Sequence, residues 1–471
     1  MLIDELMMRS DGYKYGHPDM LPEGTEHVYS YLESRGGARY NRTLFNGLQP
    51  MLLQYMEGRV ITSTAQIQAA EEFFAEYFHE KGVFPTAMFE HILAKHEGRL
   101  PLLIKAVPEG TLVPVSNVLM SVVNTDPAVP GLTNFMETLL SQVWYPCTVA
   151  SLSYEVRKMV ADYLERTATD NGILPYALHD FGYRGASSQE TAAIGGCAHL
   201  INFMGTDTIA APMHAMQWYN APVEGLCCSV KATEHSVMTA MGEPGEFQVF
   251  KRLLENNPSD VLSIVIDSYN YQRFISDYAL KLRDVILARS GRVVFRPDSG
   301  DPTSVTIDVY NRLAAVFGTT VNSKGYTELH PQVGVLWGDG IDYMGIRSIL
   351  FSLANNMYST SAMVFGMGAG LLQKVDRDVQ RFAFKSSAQC RNGVWHDIFK
   401  NPLEVSKVSK KGCLALHMDE TGVFHTDRVT PWSALNCEHV TNDLLEPVFL
   451  NGTVLRTQTF QDVRRRTGNW T

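Results

Sequence analysis

None of the seven cysteines stands in a Cys-x-x-Cys pair, and the chain has no internal repeat and no low-complexity tract. Without paired spacing a zinc site is not expected. The odd set Cys147, Cys197, Cys227, Cys228, Cys390, Cys413 and Cys437 reads as reduced, mostly buried thiols of a cytoplasmic protein, not as a disulfide framework. The segment Met1-Leu2-Ile3-Asp4-Glu5 lacks the basic region and apolar stretch of a signal peptide. No apolar run approaches the roughly 20 residues of a membrane-spanning helix. Positive charge is also in deficit: 40 Lys and Arg face 50 Asp and Glu, a net charge of −10. That argues against nucleic acid or an anionic membrane as the main partner, while leaving room for a locally basic pocket.

With 45% hydrophobic and 19% charged residues, the chain is globular and not disordered. Its 471 residues exceed one ordinary core, so two domains, or a barrel with a large appendage, are expected. The first part is mixed. His27 to Leu32 alternates like a strand, and Leu103 to Val107 and Leu119 to Val123 read as two more. Ser63-x-x-Gln66 is a capping box ahead of Ile67, Ala70, Phe74 and Phe78 on one helical face. A helix is predicted over 134–144, stopped near Pro146, and another from about Ser151 to Arg166.

From about Leu178 to Lys385, apolar strand-like runs alternate with helical ones, which calls for parallel strands with crossover helices, an α/β barrel. Ile275, Leu280, Leu282 and Ile286 are assigned to one of those helices. Asn451-Gly452 between apolar runs is a hairpin signal. The predicted division is a mixed α+β domain over 1–150, the barrel over 151–385, and a segment over 386–471 that returns to complete the first domain.

Barrel chemistry sits at the C-terminal ends of the strands. Here those ends read Asp267, then Arg296 with Asp298, then Gly338 with Asp339, then Gly366-Met-Gly368-Ala369-Gly370. One such aspartate alone is a helix cap; several at successive strand ends beside an arginine favour a site. The glycine loop lets backbone N–H groups approach an anion, and its spacing suits one phosphate better than a triphosphate. Carboxylates beside a phosphate cradle suggest a ribose, with Arg377, Lys385, Lys400 and Lys407 downstream as further phosphate ligands or solvated surface charges. Lys410 and Lys411 read as surface. Phe181 offers a stacking face or a core ring, Arg184 a phosphate contact, and Asp207 a carboxylate at another strand end. His235 stands out only because Glu234 adjoins it.

These segments, in this order, resemble the nicotinamide phosphoribosyltransferase family over nearly the whole chain. The resemblance runs from Ser10-Asp11-Gly12-Tyr13-Lys14 and Tyr29 to Arg35, through Lys105 to Gly110, His179 to Glu190, Gly205 to Thr208 and Glu234-His235-Ser236. It continues through Asp267-Ser268-Tyr269, Arg296 to Gly300, Gly338-Asp339-Gly340 and Gly370 to Lys374. It implies the type II phosphoribosyltransferase α/β barrel with a mixed domain, a homodimer with shared active sites, magnesium accompanying pyrophosphate, and ATP coupled through a phosphohistidine. By position, Phe181 and the partner's Tyr13 would sandwich a pyridine ring, and Asp207 would accept from its carboxamide. Arg296 and Asp298 would serve the ring and ribose, with Arg296 also facing pyrophosphate. Gly338 and Asp339 would take the ribose hydroxyls; Gly368, Ala369 and Arg377 would take the 5′-phosphate. Arg184 and His235 would line the pyrophosphate, with His235 phosphorylated by ATP and oriented by Glu234 or Asp267. Arg35, Lys385, Lys400 and Lys407 would bind phosphates of pyrophosphate or ATP. The chain departs from the family's usual pattern at Gly12, Met367 and Ala369. The rival readings are a nicotinate or quinolinate enzyme of the same fold, and a non-catalytic nucleotide-binding protein.

Overall fold

A computed structural model describes residues 5–400, 408–435 and 442–470. Two compact units emerge: one comprises Met1–Ser151, Trp218–Asn220 and Asp376–Thr471, the other Leu152–Gln217 and Ala221–Val375. The expected boundary at 385/386 falls inside the strand Phe382–Arg391, which belongs to the first unit.

The first unit is built on an antiparallel sheet. The alternation read at His27–Leu32 lies in the strand Thr25–Ser34, flanked by Phe382–Arg391 and Val118–Asn124. Leu102–Ala106 follows, then Glu446–Leu450, which turns through Asn451-Gly452 into Thr453–Val454. Asn451 and Gly452 both have positive φ, +48° and +80°, the conformation a tight two-residue hairpin requires. Phe45, Phe74, Phe89, Phe135 and Ile104 fill the core beside this sheet.

Local chemistry departs from the sequence reading in three places. Pro146 does not stop a helix; it sits in the first turn of the long helix Trp144–Thr167, where backbone N–H groups have no intrahelical acceptor and a missing one costs nothing. Only half of the capping box forms: Ser63 accepts from the Gln66 N–H, but the Gln66 side chain accepts from the Thr62 N–H instead. The helical run near 271–287 is interrupted by a π-helical segment, Phe274–Ala279. The wider turn rotates the apolar face, so Ile275 and Ile286 are buried while Leu280 is 51% exposed.

The second unit carries a parallel sheet in the order Gly205–Thr206, Leu178–Asp180, Met363–Met367, Val333–Trp337, Val293–Arg296, Leu262–Val265, Lys231–Ala232. A parallel bridge from Gly205 to Cys228 joins its two edges. Thr206 N–H donates to the Cys228 carbonyl at 3.0 Å and Cys228 N–H to Met204 at 2.8 Å. The chain from Cys228 to Ala232 thereby closes the barrel and removes both free edges.

In the first unit, the buried Glu109 carboxylate accepts from the Gln49 N–H and from the Tyr219 hydroxyl, both at 2.6 Å. Burial pushes the Glu109 carboxyl above its ordinary value, against those hydrogen bonds. The pair fastens the detour Trp218–Asn220 into this unit. Tyr219→Phe should lower unfolding stability by about 1–3 kcal/mol, because it strips a buried carboxylate of a donor; a urea midpoint unchanged from the parent would refute this.

Candidate active site

The barrel strands present their C-terminal ends together, and the residues named from sequence fall there: Phe181, Asp207, Glu234 and His235, Asp267, Arg296 and Asp298, Gly338 and Asp339, Gly368 and Ala369. The helices after these strand ends are capped by other residues. Asp301 accepts from the Ser304 N–H at 2.8 Å and starts the helix Pro302–Phe317; Asp342 accepts from the Gly345 N–H at 2.9 Å and starts Tyr343–Asn355. Asp298 and Asp339, one turn earlier in each loop, are not caps.

Asp267 ties two strand ends together. Its Oδ2 accepts from the Asp298 N–H at 3.0 Å and from the Ser299 hydroxyl. Its Oδ1 lies 3.4 Å from His235 Nε2. Glu234, the other candidate orienter, accepts from the Ser236 hydroxyl instead. His235 opens the short helix His235–Met238 and is 48% exposed, so its ring is open to a reactant. Arg296 reaches Asp298 through Nε and Nη2 at 3.3 and 3.2 Å. Its guanidinium carbon lies 5.9 Å from the Phe181 ring centroid, within cation–π range.

Phe181 is fixed by its backbone N–H, which donates to the Met367 carbonyl at 3.0 Å. Its ring lies so close to the neighbouring strand that a Cβ at Gly366 would approach it to 2.1 Å. Gly366 therefore makes room for an aromatic ring. Ala369 opens the helical turn Ala369–Leu372 without positive φ, so an alanine fits there unstrained.

Inside the barrel is a cavity of about 400 Å³. Phe181, Asp207 and Ser229 stand at one end, Val294, Leu336 and Val364 along the wall, and Val261 and Arg292 at the other end. Most barrels of this kind fill that space with side chains; here the volume suits a small flat ligand. Ser229 and His179 were missed as site residues from sequence. The Ser229 hydroxyl donates to Asp207 Oδ1. Burial holds the His179 imidazole below its ordinary value despite nearby Asp207, so the ring is neutral near pH 7 and leaves the Asp207 charge uncompensated. No local motif signals Ser229; only the barrel closure at Cys228 brings it to Asp207.

Arg184 lies exposed in the turn Tyr183–Gly185. The remaining cationic candidates belong to the first unit. Lys385 faces Tyr31 across the sheet. Burial, with Arg35, Lys400 and Lys14, holds its ammonium below the ordinary value, against the attraction of Glu137. Like charges gathered this closely suit a polyanion. Lys410, assigned to the surface, instead bonds the buried Glu33 carboxylate, and Lys14 bonds Glu137. Tyr13 is 62% exposed and Arg377 is exposed; both lie in the first unit. Lys407 lies outside the described residues.

Residues 176–453 match the model of the nicotinate phosphoribosyltransferase (NAPRTase) family, and residues 5–104 match the nicotinamide phosphoribosyltransferase N-terminal domain. The chain is 41% identical over 476 residues to a nicotinamide phosphoribosyltransferase of Xanthomonas campestris pv. campestris, covering 98% of each. The chain belongs to the nicotinamide phosphoribosyltransferase family. A relative of the same name from Acinetobacter baylyi is 33% identical over 499 residues, covering 97% of this chain and 95% of its own. Among solved structures, a nicotinate-nucleotide pyrophosphorylase from Pyrococcus furiosus superposes with a TM-score of 0.60 at 15% identity, covering 98% of this chain and 95% of that one. Human nicotinic acid phosphoribosyltransferase does so at 0.54 and 15%, covering 98% and 92%. These two likenesses show the type II phosphoribosyltransferase fold expected from sequence.

Asp180, buried behind Phe181, adds a pH signature to the family site. Burial and the charge of Asp207 raise its carboxyl to about 6, against the hydrogen bond from the Gly182 N–H at 2.7 Å and the nearby Thr208 and Thr206 hydroxyls. The folded state thus holds this proton more tightly than the unfolded chain. Its contribution is complete below the unfolded value near 4 and is lost as pH rises through about 6. Asp180→Asn, which carries no charge, should gain on the parent as pH rises from about 3 to about 7, by up to about 3 kcal/mol in all. A stability gap independent of pH in paired denaturation curves would rule the assignment out.

Proposed function

We propose that this protein condenses nicotinamide with 5-phosphoribosyl 1-pyrophosphate to give nicotinamide mononucleotide and pyrophosphate, a pentosyl transfer of NAD salvage. The observation that carries this reading beyond family membership is Asp207. It is a carboxylate beside Phe181 in the cavity lining, fixed by a serine hydroxyl and left negative by a neutral histidine. A carboxamide offers N–H donors to it. Nicotinate brings a second carboxylate, a repulsion on the order of a few kcal/mol in a partly dry site. Quinolinate, a dicarboxylate, would fare worse.

The ring nitrogen of nicotinamide is neutral and nucleophilic, so no general base is required. C1 of the ribose gains positive charge as pyrophosphate departs, and catalysis is mainly positioning and charge neutralisation. Phe181, with Arg296 on its ring, would hold one face of the pyridine; Tyr13 of a partner subunit would cover the other in a homodimer. Asp298, Gly338 and Asp339 would take the ribose hydroxyls, the backbone at Gly368 and Ala369 with Arg377 the 5′-phosphate. Arg184, Arg296 and His235 would face pyrophosphate, and Arg35, Lys385, Lys400 and Lys407 further phosphates of pyrophosphate or ATP.

Magnesium fits this donor set. Among the described residues, Asp267 Oδ1 is buried and accepts no hydrogen bond, with the His235 imidazole near it at 3.4 Å, a hard oxygen of the kind that completes a magnesium shell supplied mainly by phosphates. Asp267 and Asp298 would hold the ion, which when bound neutralises the leaving group. ATP stimulation through His235 fits an exposed imidazole steered by Asp267 rather than Glu234. The chemistry of pyridine-nucleotide salvage favours a cytoplasmic location.

Incubation with nicotinamide, phosphoribosyl pyrophosphate and magnesium should yield the mononucleotide; failure with nicotinamide alongside success with nicotinate would transfer the assignment to the rival enzyme. Asp207→Ala should lower kcat/KM for nicotinamide by about 10- to 100-fold and narrow discrimination against nicotinate. Unchanged discrimination would remove Asp207 from the specificity argument. With radiolabelled ATP, His235→Ala should abolish acid-labile phosphorylation; label retained in the variant would exclude this histidine.

A further inference from the structure

Two histidines and an aspartate converge in the first unit, outside every residue assigned to the transferase site. His91 Nε2 and His96 Nε2 both lie against one oxygen, Asp126 Oδ2, at 2.8 and 2.6 Å. One ligand atom from each residue falls within 4.8 Å of the others. The side chains are 30%, 26% and 18% exposed, so the cluster opens to solvent without being loose on the surface.

The fold holds each of the three residues in place. Met88, Phe89 and Ile92 bury one face of the helix Thr86–Lys95, which sets the direction of His91. His96 is the residue just past that helix. Its N–H donates to the Ile92 carbonyl at 3.0 Å, and its carbonyl accepts from Arg99 at 2.9 Å. The chain then turns through Glu97 and Gly98, both at positive φ, and the Gly98 carbonyl accepts from Val60 and Ile61. Asp126 follows the central strand Val118–Asn124. Its Oδ1 accepts from the Ala128 N–H at 2.8 Å, and its carbonyl accepts from the buried Asn124 amide at 2.8 Å. One carboxylate oxygen is thus occupied by backbone, and the other is left to the two rings.

We propose that His91, His96 and Asp126 form a binding site for one divalent transition-metal cation of the Zn²⁺ class. Two imidazoles and a carboxylate match the donor preference of Zn²⁺, Co²⁺ and Ni²⁺, whereas Mg²⁺ and Ca²⁺ prefer all-oxygen shells. Three protein ligands leave a fourth position for water. Neighbouring ligand atoms in a tetrahedral site lie roughly 3.3 Å apart, so the two Nε2–Oδ2 separations would open by roughly half an ångström or slightly more. On binding, each ring presents its Nε2 lone pair and carries its proton on Nδ1, a tautomer exchange that leaves the imidazole neutral. The backbone bond to Oδ1 and the amide bond behind it are the kind of outer contacts that orient metal ligands. The cation would clamp the end of the helix Thr86–Lys95 to the loop after the central strand. The missing Cys-x-x-Cys pattern removes the usual local signature of a thiolate site; it does not bear on a set made of two histidines and a distant aspartate.

The test uses the full chain stripped with a chelator. Isothermal titration with Zn²⁺ should show one saturable site of micromolar affinity or tighter, and Zn²⁺ should raise the thermal midpoint by at least about 2 °C while the same concentration of Mg²⁺ does not. Co²⁺ should give the visible absorption of a four-coordinate ion. His91→Gln and His96→Gln should each weaken Zn²⁺ at least tenfold and bleach the cobalt spectrum, with far-UV circular dichroism confirming the fold. His91→Gln leaves the His96–Asp126 hydrogen bond intact, so it is the variant least exposed to misfolding. Absence of saturable Zn²⁺ binding to the parent would overturn the proposal, and so would equal affinity in both variants, which would place the ion on other histidines.

Discussion

The ring of Phe181 fits where it does only because residue 366 has no side chain. A methyl group there would lie 2.1 Å from the ring, far inside any van der Waals contact. Much of the barrel mouth depends on that clearance. The Phe181 backbone is bonded to Met367 on the same neighbouring strand, Arg296 lies over the ring, and Gly338 approaches it from the next strand, where a Cβ would sit 3.3 Å away. Three strand ends are therefore organised around one flat aromatic surface. Arg296 in turn holds Asp298, whose N–H holds Asp267, which faces His235. Ring face, ribose carboxylate and imidazole are successive links of a single chain of contacts.

This arrangement also explains the unequal legibility of the sequence. Strand ends were readable because each apolar run stops at a charged or glycine residue, and the barrel follows from repeated strand–helix alternation. The roles of the glycines were not, because sequence spacing does not tell a glycine that admits an anion from one that admits a ring. Ser229 was invisible because its partner Asp207 is distant in sequence and meets it only through the closing bridge at Cys228. Lys410 looked like a solvated charge because its partner Glu33 lies at the other end of the chain. Pro146 misled because proline reads as a stop unless the helix start is known to lie just before it, and Leu280 because one wide turn shifts a helical face. In each case the missing information is a contact between residues remote in sequence or a local change of helical pitch.

Charge is distributed with the same economy. The chain as a whole is acidic, yet the first unit gathers Lys14, Arg35 and Lys400 within electrostatic range of Lys385. The second unit places Asp207, Asp267 and Asp298 at its strand ends, each restrained by a backbone N–H, a hydroxyl or an arginine. Net charge thus says little about the polarity of either surface, and a phosphorylated substrate is compatible with an overall negative protein.

The order of strands in the first unit bears on how the chain is made. Thr25–Ser34 lies between strands beginning at Val118 and Phe382, and Leu102–Ala106 pairs with Glu446–Leu450. During synthesis from the N-terminus, each of these early strands therefore keeps one edge without its partner until the final portion of the chain has left the ribosome. The barrel strands, by contrast, all lie between Leu178 and Met367 and can pair without waiting for that portion. Unpaired edges on an early, apolar sheet are the usual seeds of aggregation. The burden on the cell's chaperones accordingly falls on the part of the molecule that begins first and finishes last.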